Sequence, residues 1–239
     1  MPRLPRAVLP GVAHHLTQRG VARQDVFGSG VDRQVYLDLA RHNAERFGVC
    51  LLGYCLMSNH VHWIATPDRP DSLAKAFGEA HGRYAHYANA KHNRSGHFWQ
   101  NRFFSCALDP ARLWVALRYV ERNPVRAGLT GTSQDWPWSS AASHTGSVAA
   151  PVWLDCRAWS QAFTPQQWRI FLAAPGLADA EVSLRACTYT GRPLGSHGFV
   201  RSAEVSLDRP LAPRKGGRPR KPPLSEVSNP NQDSLFDEA

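Results

Sequence analysis

His60-Val61-His62 is the first place in the chain where side chains of the right kind stand at a working distance. Residues 60–66 are of strand length, and in a strand residues two apart project from one face with Cα atoms roughly 6.5–7 Å apart. Two imidazoles so placed can converge on one ion. Taken alone, an H-x-H triplet is more often a turn-capping histidine beside a second one satisfied in the core. A second group alters that weighing. On a helix predicted over residues 111–122, Tyr119 and Asn123 stand four apart and share a face, next to an apolar stripe of Leu113, Leu117 and Val120. Neutral imidazoles with an amide oxygen suit Mg²⁺ or Mn²⁺, which keeps waters and takes a phosphate oxygen, whereas zinc usually has four protein donors or a cysteine. The plainer alternative makes Tyr119 a half-buried helix tyrosine and Asn123 a C-terminal cap, with Pro124 pushing Asn123 off helical geometry.

The elements that must position these groups alternate between strand and helix signals. Residues 12–19 are β-permissive and end at Gly20, with His14, Leu16 and Gln18 on one face. Asp32 is placed to cap a helix from Arg33, and Leu37, Ala40, Ala44 and Phe47 follow at helical spacing until Gly48. Residues 49–57 form an apolar run, and Ser58-Asn59 turns the chain into residues 60–66 as a hairpin. Residues 72–92 carry Leu73, Ala76, Phe77, Ala80 and Tyr84 at three- and four-residue steps; residues 98–108 are aromatic-rich and strand-like. Asp109-Pro110 then offers an N-cap with proline at the first helical position.

The order β-α-β-β-α-β-α predicts an α+β fold: a ferredoxin-like split βαβ antiparallel sheet with helices on one face. Thr164-Pro165-Gln166-Gln167 reads as a capping box opening a short helix, and residues 177–186 suit another. The expected division is residues 1–145 as the first domain, 146–200 as a small helical extension, and 201–239 as a basic, proline-rich disordered tail.

Composition narrows the partner. The chain has 239 residues, and 28 Lys+Arg against 19 Asp+Glu give a formal charge of +9, so an acidic partner is expected and nucleic acid leads. No uncharged apolar run approaches the roughly 20 residues that cross a bilayer, and no export signal is expected behind the basic start. The five cysteines are odd in number and lack C-x-x-C spacing, which disfavours a disulfide framework or a cysteine zinc site and fits small core residues in a reducing cytosol.

Four blocks together resemble a known group: Gln18-Arg19-Gly20; Leu56-Met57-Ser58-Asn59-His60-Val61-His62; Gly96-His97-Phe98-Trp99-Gln100-Asn101-Arg102-Phe103; and Arg118-Tyr119-Val120-Glu121-Arg122-Asn123-Pro124-Val125-Arg126-Ala127-Gly128-Leu129. They resemble the REP-associated tyrosine transposases of the HUH single-tyrosine superfamily, in that family's order, across residues 12–143. The resemblance implies a catalytic domain that cuts hairpin or single-stranded DNA from repeated extragenic palindromic sequences through a covalent 5′-phosphotyrosine and transfers the strand. It implies His60, His62 and Asn123 as ligands of Mg²⁺ or Mn²⁺, Tyr119 as the nucleophile, a chain acting as a monomer, and a cytoplasmic, nucleoid-associated location with no membrane or small-molecule substrate. Two other readings stand beside it: an HUH replication initiator or relaxase, and a DNA-binding regulator without cleavage. Glu121 is either an extra acidic group near the metal or solvent-facing.

Further residues are candidates for DNA contacts. Arg3, Arg6, Arg19 and Arg23 near the N-terminus can grip phosphates, as can Arg102 among the aromatics; Arg218, Arg220 and Lys221 resemble a short minor-groove arm, with a solvated tail as the alternative. Phe98, Trp99, Phe103 and Phe104 either stack bases or fill the core. Tyr84 and Tyr87, with His81 and His86, form a rival tyrosine surface ranked below Tyr119, and Trp136-Pro137-Trp138-Ser139-Ser140 reads as a packed turn closing the domain.

Overall fold

The computed structural model describes residues 6 to 211. Strand β1 (His14–Arg19) leads through a short 3-10 turn into helix α1 (Gly30–Arg46). The hairpin of β2 (Val49–Leu56) and β3 (His60–Pro67) follows, then α2 (Ser72–Lys91), β4 (Phe104–Ala107) and α3 (Pro110–Glu121). The four strands form one antiparallel sheet in the order β2-β3-β1-β4, so the α+β arrangement expected from the sequence holds.

Several local signals act as expected, and others yield to tertiary structure. The Asp109 side chain accepts from the Ala111 N–H, with Pro110 inside the first turn of α3. Gly48 takes a left-handed φ of +64° just past α1. Helix α1 begins three residues before the expected Arg33, because Ser29 is its cap and accepts from the Asp32 N–H. The Asp32 carboxylate is thereby released to accept from Gly28 N–H, Tyr87 hydroxyl and Lys91 ammonium. The expected strand over residues 98–108 shortens to Phe104–Ala107. Adjacent Phe98 and Trp99 both turn into the same core, which an alternating strand does not allow.

The sheet is covered on both sides. Helices α1 and α2 pack on the face formed by Leu16, Val61, Trp63 and Ala65. The opposite face, with Cys55, Ile64 and Cys106, is covered by α3 and by later helices, so the one-sided packing read from the sequence applies to α1 and α2 alone. Close approach of α3 requires Gly53: a Cβ there would lie 2.2 Å from Leu117 Cδ1. After α3 come α4 (Asn123–Arg126), α5 (Ala141–His144), α6 (Arg157–Ala162), α7 (Pro165–Ala173), α8 (Ala178–Thr190) and α9 (His197–Ser206). The Thr164/Gln167 capping box opens α7. Trp138 to Ser140 runs beside β2, with Leu56 N–H donating to Trp138 O and Trp136 Nε1 donating to Leu56 O, a structural closure as the sequence suggested.

Helix α9 extends past residue 201, where the sequence placed the start of a disordered tail. Its Ala203 joins Ala7, Leu9, Ala107 and Leu211 in a third small core, so order continues to Leu211; apolar residues this widely spaced gave no recognisable period. All five cysteines are free thiols, with Cys55 and Cys106 buried. Among the described residues no helix is long and apolar enough to cross a membrane.

Candidate nucleic-acid cleavage site

Strand alternation puts His60 and His62 on the α3 side of the sheet with Ile64, opposite Val61 and Trp63. Their ring centroids are 4.8 Å apart and nearly perpendicular. Helix α3 brings Tyr119 over them, its ring 5.7 Å from that of His62 at 90°. A third imidazole, His15 from β1, lies 5.8 Å from Tyr119 and stacks on His62 at 5.1 Å.

Each imidazole is held by a specific bond. His60 Nδ1 lies 2.6 Å from Asn59 Oδ1, and Asn59 Nδ2 donates to Arg23 O. A carbonyl can only accept, so the Asn59 amide is fixed with its oxygen toward His60. His60 Nδ1 is therefore the protonated nitrogen, and the lone pair of the neutral ring sits on Nε2. Arg23 and the preceding Ala22 have left-handed φ values of 61° and 49°, an unusual backbone that holds this carbonyl against Asn59. His62 Nδ1 bonds His15 Nε2 at 2.9 Å, and His15 Nδ1 bonds Thr188 Oγ1 at 2.8 Å. Burial lowers His60 to about 3, with Arg19 and Arg126 adding to the effect; burial, His60 and His15 hold His62 well below the usual histidine range. The rings are neutral at physiological pH, the form that can donate a lone pair.

Asn123 follows α3 at the start of α4. Pro124 has no N–H to give the Val120 carbonyl, and the Asn123 amide substitutes: Nδ2 donates to Tyr119 O at 3.0 Å and to Val120 O at 3.2 Å. Helix α3 ends at Glu121 and α4 opens at Asn123, with Arg122 (φ −84°, ψ −2°) between them. The amide is oriented by these two bonds, which leave Oδ1 as its acceptor. Among the described residues no three His, Cys, Asp or Glu side chains form a metal-binding group, and His15 spends both nitrogens on hydrogen bonds. The two neutral imidazoles, joined by the Asn123 amide oxygen, would make a donor set that fits a hard divalent ion retaining water better than zinc.

Two further residues at the site were missed in the sequence. His15 lies in β1 outside the Gln18-Arg19-Gly20 block, and its partners lie 47 and 173 positions away. Arg126 lies two helical turns beyond Tyr119, a spacing that signals a shared face, and its guanidinium carbon is 4.5 Å from the Tyr119 ring centroid. It also stands 3.6 Å from Glu181.

Glu121 occupies neither place expected for it. It is fully buried in the second core, where Ser140 Oγ and Trp168 Nε1 donate to it and His144 Nδ1 lies 2.6 Å away. Two residues along α3 turn the side chain away from Tyr119. Its neighbour Arg118 is also buried, donating to Phe171, Ala174 and Pro175 carbonyls at the end of α7. The two ends of Arg118-Tyr119-Val120-Glu121 thus fasten the C-terminal helices.

The other candidates separate clearly. Tyr84 is buried, its hydroxyl donating to Val26 O at 2.6 Å, and Tyr87 donates to Asp32. His81 is buried against Tyr36 while His86 is exposed. Phe98, Trp99 and Phe103 are core, and Phe104 is half-buried against Tyr189. Arg19 pairs with His60 across β1 and β3. Arg6 donates to Phe103 O and lies 3.7 Å over the Phe103 ring. Arg23 and Arg102 are exposed. Arg3, Arg218, Arg220 and Lys221 lie outside the described residues.

Comparison with known proteins finds a family model and a similar fold. Residues 10–123 match the family described as IS200-like transposase. The structure of the REP associates tyrosine transposase bound to a REP hairpin is similar in fold, with a TM-score of 0.53 and 18% identity over 65% of this chain and 92% of that one. A putative transposase from Deinococcus radiodurans R1 is 20% identical over 51% of this chain and 97% of that one, with a TM-score of 0.35. No curated protein matches the sequence. The matched residues 10–123 hold the whole sheet together with His60, His62, Tyr119 and Asn123, and over that stretch the chain is similar to the IS200-like transposases.

Proposed function

We propose that this chain cleaves hairpin or single-stranded DNA of repeated palindromic elements at a phosphate bound to a divalent ion, with Tyr119 as nucleophile, and then transfers the strand. The observation that carries the reading is the convergence of His60, His62 and Tyr119 within ring separations of 4.8 and 5.7 Å. His60 Nε2, His62 Nε2 and Asn123 Oδ1 would hold Mg²⁺ or Mn²⁺. When bound, the ion supplies Lewis-acid stabilisation of charge developing on the phosphate oxygens.

Tyr119 attacks the phosphorus in line. The bond from phosphorus to the tyrosine oxygen forms as the bond to the leaving 3′-oxygen breaks; the phenol proton is lost to solvent and the 3′-oxygen takes one up. The product is a 5′-phosphotyrosine and a free 3′-OH. A 3′-OH can later attack the same phosphorus and expel Tyr119, so strands are rejoined without a nucleotide cofactor. Arg126, over the Tyr119 ring, presents positive charge to the incoming phosphate. All these groups come from one chain, which supports action as a monomer, and DNA as substrate supports a cytoplasmic, nucleoid-associated location. The hairpin substrate is supported by the similar protein's being bound to a REP hairpin.

The test is His60→Ala with Mn²⁺ and a labelled hairpin. Cleavage should fall by about 10³-fold, the loss of several kcal/mol of charge stabilisation, while hairpin affinity stays within a few-fold. Cleavage retained in that variant would overturn the reading.

A further inference from the structure

We propose that the Thr188 hydroxyl on α8 sets, through His15, the position of the proton on His62, so that His62 Nε2 presents a lone pair toward the metal. The inference rests on the metal reading above and makes α8, from the C-terminal extension, a positioning element of the site.

The direction of each bond follows from the one before it. Thr188 Oγ1 lies 2.7 Å from Leu184 O, one turn back in α8, the bond to a preceding carbonyl that helical threonines favour. A carbonyl only accepts, so this bond uses the single hydroxyl hydrogen. Toward His15 Nδ1, at 2.8 Å, Thr188 Oγ1 must then accept. His15 Nδ1 carries the proton, and its Nε2 has the lone pair. His62 Nδ1, 2.9 Å from that nitrogen, must donate. In the neutral His62 ring the remaining lone pair is on Nε2, the nitrogen needed for a metal.

Thr188 is saturated in this arrangement, since the Cys106 thiol 3.2 Å away can donate into its second lone pair. The alternative is a concerted reversal, with Thr188 donating to His15, His15 to His62, and an N–H left on His62 Nε2. It forfeits the Leu184 bond and aims a proton where the ion would sit. Water cannot substitute for a link, because His15, His62 and Thr188 are all buried. His60 provides an internal contrast, its tautomer being set independently by Asn59.

The experiment uses the full chain labelled with ¹⁵N-histidine and free of metal. Long-range ¹H–¹⁵N correlations should show His62 protonated at Nδ1 and unprotonated at Nε2. In Thr188→Val, of nearly the same shape, His62 should lose its single tautomer while His60 keeps its own; Thr188→Ser should restore it. Calorimetric titration with Mn²⁺ alone should show affinity about tenfold weaker in Thr188→Val and recovered in Thr188→Ser. A wild-type His62 protonated at Nε2 would overturn the proposal, as would Thr188→Val with unchanged tautomer and affinity. The expected tautomers in a wild type that binds no Mn²⁺ would uphold the relay and overturn the metal reading instead.

Discussion

The two faces of the sheet both bury histidines and tyrosines, and they terminate their hydrogen bonds in different ways. On the α1/α2 face the indole and phenol tips of Trp63, Tyr36, Trp99 and Tyr84 close inside the protein. Trp63 Nε1 donates to the Tyr36 hydroxyl, which pairs with His81 Nε2; Trp99 Nε1 donates to His81 O, and the Tyr84 hydroxyl to Val26 O. On the α3/α8 face the bonds form chains with open ends: Asn59 to His60, and Thr188 through His15 to His62. Each chain stops at an imidazole nitrogen without a further hydrogen bond among the described residues. Residue type and burial are alike on the two faces. We place reactivity on the α3/α8 face, as proposed above; on the other face burial, with Asp32 and Tyr87 adding to it, pushes Tyr84 above the ordinary phenol range.

This comparison is most strongly tested where the second face is closed, at Glu121. Glu121→Ala leaves Trp168 and His144 without their acceptor and should cost about 3–5 kcal/mol, read as a fall in denaturant midpoint. His144 has a pH signature. Burial opposes its charge, yet the Glu121 carboxylate outweighs burial and raises it to about 9. Because the folded value lies above the unfolded one near 6.5, the stabilisation is fully present below pH 6.5 and lost as pH rises through about 9, amounting to roughly 3 kcal/mol. His144→Gln should flatten stability between pH 6 and 9.5. An equally steep loss in that variant would remove the pair from the account.

A smaller effect is expected on the α1/α2 face. Tyr84→Phe leaves the buried Val26 carbonyl without its donor, costing about 1–2 kcal/mol, and should leave DNA cleavage per folded molecule unchanged. Reduced cleavage there would blur the distinction between the faces. The smallest effect concerns residues 212–239. If Arg218, Arg220 and Lys221 hold phosphates, truncation after Leu211 should flatten the log–log salt dependence of hairpin binding by about 0.7–0.9 for each phosphate that is no longer neutralised; an unchanged slope would leave that segment without a role in binding.

What was legible in the sequence was local. H-x-H in a strand, the Asp109-Pro110 start and the Thr164/Gln167 box declare themselves within four residues, and the order of strands and helices follows from such signals. Illegible features depended on distant partners. His15 acquires its place from Thr188 and His62; Glu121, polar in a motif beside Tyr119, is turned by the α3 period into a core closed by α5 and α7. Ser29 displaced Asp32 as cap because Lys91 and Tyr87, from another helix, claimed the carboxylate. The region after residue 201 looked like tail because Ala203 and Leu211 make a core only when Ala7, Leu9 and Ala107 are brought to them.

In the function proposed above, chemistry resides on the α3/α8 face and begins at Tyr119, whose ring faces His62 and His15. The direct measurement is covalent adduct formation with a 5′-labelled and a 3′-labelled hairpin in Mn²⁺, read on a denaturing gel for the wild type, Tyr119→Phe and Tyr84→Phe. The expected result is a 5′-linked adduct in the wild type and Tyr84→Phe, and none in Tyr119→Phe despite normal folding and hairpin affinity. A 5′-linked adduct persisting in Tyr119→Phe would contradict the claim.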